Sequence, residues 1–71
     1  MTFTAIYQKV AEGYIAFIEE LPGANSQGKT LEESRINLGE AVEMVIEANR
    51  YLAEERIKGM DFIREPFLLA A

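Results

Sequence analysis

Two short apolar segments open the chain with the composition of strands. Residues 3–10 are rich in aromatic and β-branched side chains and partly alternate, which predicts a first strand. Phe3, Ala5 and Tyr7 share one face of it, and Thr4, Ile6 and Gln8 share the other. Neither face is purely polar, so the pattern leaves the buried side open. Residues 14–18 form a continuous apolar run, which periodicity alone allows as a buried strand or a piece of helix. Its shortness, its β-formers and the preceding Gly13 favour a strand. Gly13 supplies the positive φ that a tight hairpin needs, so the two segments are expected to pair antiparallel.

Leu21-Pro22-Gly23 follows, with proline and glycine in the second and third positions of a type II turn. Residues 24–28 make a weak strand by propensity, but they lie between two turn signals and complete a meander. Thr30-Leu31-Glu32-Glu33 is a capping box: the Thr30 hydroxyl accepts from the backbone of Glu33, and Glu33 reaches back. Two acids in the first turn also suit the helix dipole. No proline interrupts residues 30–58, and Lys58-Gly59 reads as a stop.

Rotation by about 100° per residue sorts this long helix into faces. Leu31, Ser34, Leu38, Ala41, Val42, Val45, Asn49 and Leu52 form a stripe expected to cover the sheet. Gly39, beside it, suggests a close backbone approach. Glu33, Glu40, Glu43, Glu47 and Glu54 lie opposite, with Ile36, Met44 and Tyr51 among or beside them. Beyond the helix, Phe62 and Ile63 suggest a short strand or helix that Pro66 stops. The predicted class is α+β: a three-stranded antiparallel meander on one long helix, with a short C-terminal element.

Size and charge narrow the function. Seventy-one residues make one small domain. A chain this short hides only about 60% of its unfolded surface, so its core is marginal. With no Cys and no His, disulfides, zinc sites built on those residues and thiolate or imidazole catalysis are excluded. Of the usual staples of small scaffolds, association remains, and a homo-oligomer is expected. Seven basic residues against 12 acidic ones give a net charge of −5. Such a surface repels phosphate backbones, so direct nucleic-acid binding is not expected, and it suits a basic protein partner. No apolar run approaches the roughly 20 residues of a membrane span, and the start lacks the order of a signal peptide. A cytoplasmic protein is the expectation.

The ordered combination of Gly13-Tyr14-Ile15-Ala16-Phe17, Glu20-Leu21-Pro22-Gly23 and Ser26-Gln27-Gly28-Lys29-Thr30-Leu31-Glu32-Glu33 resembles the HicB-like antitoxin family, over roughly residues 3 to 50. Asn37, Glu40 and Ala41 also suit that family's helix. The resemblance implies one HicB-like domain over residues 1–71, with a β-β-β-α core similar to a partial ribonuclease H-like fold. It also implies a small basic ribonuclease toxin, HicA-like, as the partner to be masked. Full-length members usually add a C-terminal DNA-binding domain, and the twelve residues after Gly59 are too few for one.

Catalytic readings are weak beside this. Glu19 and Glu20 are neighbours, so on a strand they point to opposite faces and read as a solvated strand end. The Thr30 box reads as a plain cap, because its two Glu residues repel an anion. The Tyr7, Tyr14 and Phe17 cluster reads as sheet packing rather than a base-stacking platform. No catalytic residue, metal or cofactor is assigned, and no enzyme is expected. The residues assigned to partner or oligomer contact are Ile36, Glu40, Met44, Glu47, Tyr51, Phe67, Leu68 and Leu69. The plainer reading of the acidic row is a solvated face.

Overall fold

The computed structural model describes residues 2–69. Strands β1 (Ala5–Val10), β2 (Gly13–Ile18) and β3 (Asn25–Gly28) are followed by helix α1 (Leu31–Ile57). The sheet is an antiparallel meander in the order β1-β2-β3 with α1 packed on one face, the α+β arrangement expected.

Each connection has a local cause. The β1–β2 hairpin closes through Ala11 and Glu12, with Gly13 at φ 142°. A side chain there is doubly disfavoured, since a Cβ would lie 2.2 Å from the Gly28 carbonyl oxygen. In the second turn the Ala24 N–H donates to the Leu21 carbonyl at 3.1 Å, with Gly23 at φ 93°. These are the hydrogen bond and the positive φ of a type II turn.

The register decides which face is buried. Ala5 pairs with Ile18, Tyr7 with Ala16, and Ala16 with Ser26, so these side chains point to one side of the sheet. Ala16, Ile18, Ala24 and Leu38 are buried together, with Tyr7, Leu21, Val42 and Val45 packed around them. Small residues on β3 let the helix approach: a Cβ on Gly28 would come within 2.6 Å of the Ser34 amide nitrogen. Ser34 is fully buried, and its hydroxyl donates to the Leu31 carbonyl at 2.8 Å. The Ser26 hydroxyl in turn donates to the Ser34 carbonyl at 3.1 Å.

Thr30 caps α1, accepting from the Glu33 amide at 3.1 Å. The reciprocal arm of the box lands one residue earlier than expected: Glu33 Oε1 accepts from the Lys29 N–H at 3.3 Å.

Three expectations change. The apolar stripe does not cover the sheet along its whole length: Asn49 is exposed and Leu52 is 62% exposed. The cause is length, since 27 helical residues run about 40 Å while a six-residue strand runs about 20 Å. The last turns of α1 therefore overhang the sheet. Gly39 makes no close approach, because nothing lies within 4 Å of where its Cβ would be. Residues 60–69 form neither strand nor helix, so the C-terminal element is an irregular segment. Pro66 removes a backbone donor, and no free strand of the sheet is paired with this segment.

Candidate interaction surface

The outward face of α1 gathers the residues singled out above. Ile36, Glu40, Met44, Glu47 and Tyr51 are spaced by three or four positions, which sets them in one row about 22 Å long. Ile36 is 57% exposed, Met44 69% and Tyr51 65%. Glu40, Glu43 and Glu47 are exposed beside them. Among the described residues the ion pairs are Arg35–Glu32 at 3.7 Å, Lys58–Glu55 at 3.2 Å and Arg64–Glu54 at 2.8 Å. None of them engages Glu40, Glu43 or Glu47, so the row presents carboxylates and apolar groups side by side to solvent.

Phe67, Leu68 and Leu69 come from a different element. They lie on the irregular segment after α1, where Phe67 and Leu68 are each 90% exposed. The segment is tied to the helix by Arg64, whose Nη2 donates to Glu54 Oε1 at 2.8 Å and whose guanidinium stacks over the Phe62 ring. The eight assigned residues thus come from two elements, and Glu54, which holds the segment, lies on the same outward face of α1 as the row.

A third apolar patch was not assigned from the sequence. On the side of the sheet away from α1, Ile6 pairs with Phe17 and Gln8 with Ile15. Ile6, Ile15 and Phe17 all remain exposed there. Between β2 and β3 this face has a shallow hollow of about 350 Å³ lined by Ile15, Phe17, Asn25 and Gln27. The three aromatic residues considered together divide between faces: Tyr7 packs against the core, whereas Phe17 stands on the open side.

Elsewhere two polar contacts help to hold the fold. The Asn37 amide donates to the Gln27 carbonyl at 2.8 Å and ties the outer edge of β3 to the helix. Glu20 accepts from the Thr4 hydroxyl and the Thr4 backbone N–H, both at 2.7 Å, clamping the entry to β1 against the end of β2. That hydroxyl, and then the N–H, hold the Glu20 carboxyl below its ordinary range. Among the described residues no three carboxylates cluster as a metal site. Nor, among the described residues, is any helix long and apolar enough to cross a membrane.

Six of the motif residues quoted for the family resemblance have structural duties here. Gly13, Gly23, Ser26, Gly28, Thr30 and Glu33 build turns, a cap and the helix–sheet approach. No family model matches the chain, and no solved structure matches it. Curated relatives do. A UPF0150 protein of Synechocystis is 38% identical over 61 residues, covering 78% of this chain and 85% of the relative. A UPF0150 protein of Thermoplasma acidophilum is 41% identical over 49 residues, 68% of this chain and 71% of the relative. One of Helicobacter pylori is 41% identical over 46 residues, covering 65% and 64%. Identity at this level over most of both chains settles the kinship: this chain belongs to the UPF0150 family.

Proposed function

We propose that this UPF0150 protein is a non-catalytic interaction module of the HicB-like antitoxin type, which binds a small basic ribonuclease toxin and masks it. The observation that carries the reading is the outward face of α1. Ile36, Met44 and Tyr51 are more than half exposed on an element whose other face supplies the core. Interfaces favour aromatic and Met side chains at their centres, and unpaired Glu residues around them steer a basic partner to the surface. The net charge of −5 acts in the same direction over longer range.

In this mechanism the carboxylates of Glu40, Glu43 and Glu47 speed encounter, and Ile36 and Met44 bury apolar area once the partner is seated. The ribonuclease is silenced because its substrate surface is covered. The helix needs no rearrangement to present this row, so little ordering entropy is lost on binding. Co-expression with a HicA-type toxin encoded by the same genome tests the proposal. Growth should recover and the two chains should purify together. A toxin that stays active beside well-folded, abundant protein would end the antitoxin reading. The alternative is a self-associating structural or regulatory protein without a toxin partner, favoured by the exposure of Phe67 and Leu68.

A further inference from the structure

The molecule exposes far more surface than its mass requires. Its accessible area is 6209 Å², whereas a compact monomer of 8.0 kDa exposes about 4,450 Å². Its radius of gyration is 15.7 Å, against about 11 Å for a compact chain of this length. The excess, on the order of 1,700 Å², falls within the range that each partner of an obligate homodimer hides, about 1,000–2,500 Å². Large apolar side chains stand exposed on it, from the open sheet face with Ile6, Ile15 and Phe17 to the segment carrying Ile63, Phe67 and Leu68.

Those two surfaces need cover, and in this structure neither covers the other, Phe67 and Leu68 each being 90% exposed. The Arg64–Glu54 ion pair fixes the segment near the far end of α1. The hollow in the sheet lies beside the first half of the helix: Gln27 on its wall is held by Asn37, and Gly23, just before Asn25, lies next to Val45. The hollow also opens on the side of the sheet away from the helix.

We propose that the occupant of the open sheet face is a second copy of this chain, which lays Phe67 and Leu68 into the hollow beside Ile15 and Phe17. The exchange is reciprocal about a two-fold axis, so each sheet receives the other chain's segment and one contact is made twice. The hollow has apolar walls in Ile15 and Phe17 and amide rims in Asn25 and Gln27. It therefore suits an uncharged aromatic or aliphatic side chain. The contact does not itself involve Ile36, Glu40, Met44 or Glu47 of the outward face of α1.

The test uses the complete chain, and its lack of cysteine makes cross-linking clean. Sedimentation equilibrium at micromolar concentration should give twice the 8.0 kDa chain mass. Leu68→Ser should raise the dimer dissociation constant at least about tenfold, with an unchanged far-UV spectrum because the side chain lies outside the core. Separately prepared Phe17→Cys and Leu68→Cys chains, mixed and oxidised, should form a disulfide-linked heterodimer. The inference is overturned if the unmodified chain is a monomer, or if Leu68→Ser leaves the dissociation constant unchanged. It is overturned equally if Phe17→Cys links only to itself, or if a dimer forms without the mixed disulfide.

Discussion

Leu38 and Ile36 stand two residues apart on α1 and face opposite worlds, so truncating each to alanine separates core from surface. Leu38 is 3% exposed, and it packs against Ala16, Ile18 and Ala24. Leu38→Ala removes the branched end of the side chain and leaves a void. Ala16 and Ala24 have no rotamers with which to fill it, so the site collapses poorly. Buried Leu→Ala changes cost about 2–5 kcal/mol, and the upper half of that range is expected here. Against a total stability of about 4–10 kcal/mol for a chain of this length, the loss approaches unfolding. Ile36→Ala removes atoms that are already largely in water and should stay within about 0.5 kcal/mol. Urea titrations followed by far-UV circular dichroism, at one protein concentration, measure both. The melting point of Leu38→Ala should fall by at least about 12 °C, and that of Ile36→Ala by no more than a few degrees. Equal losses for the two variants would refute the assignment of buried and outward faces.

Gly39→Ala should stabilise the helix by about 0.5–1 kcal/mol, since the added methyl group meets nothing within 4 Å; urea titration reads it. Gly13→Ala should cost about 2–3 kcal/mol in the same assay, because a Cβ at φ 142° points into the Gly28 carbonyl. Glu20 supplies a pH signature. Its carboxyl titrates lower in the folded chain than in the unfolded one, so its stabilising effect is complete above the unfolded value of about 4.3 and is lost as pH falls through the folded value. Thr4→Val removes the hydroxyl donor, the larger cause of that shift, and should flatten this part of the stability–pH curve.

The elements were legible because each boundary has a strong local cause. Gly13, Pro22-Gly23 and the Thr30–Glu33 box mark three connections with chemistry that few other conformations satisfy. The buried face of β1 was not legible, since Ile6 and Tyr7 offer comparable apolar area on opposite sides. That choice is made on β3, where Ser26 and Gly28 are small enough for the helix to approach. The exposure of Leu52 follows from the mismatch between strand and helix lengths rather than from periodicity, which assigns it to the covered stripe. Asn37 reads as a polar helix residue in the sequence, and only the fold reveals its amide on the Gln27 carbonyl. The patch of Ile6, Ile15 and Phe17 was hidden by the same ambiguity of faces, because a run of apolar residues does not say which of its members a one-sided helix leaves bare.

Most decisive for function is a titration of ribonuclease activity. A HicA-type toxin encoded by the same genome is held at fixed concentration with an RNA substrate, and this protein is added in steps. Cleavage should stop at a simple stoichiometric ratio, and the double variant Ile36→Ser, Met44→Ser should lose the inhibition while keeping the native circular dichroism spectrum. RNA cut at full rate in the presence of excess folded protein would contradict the account.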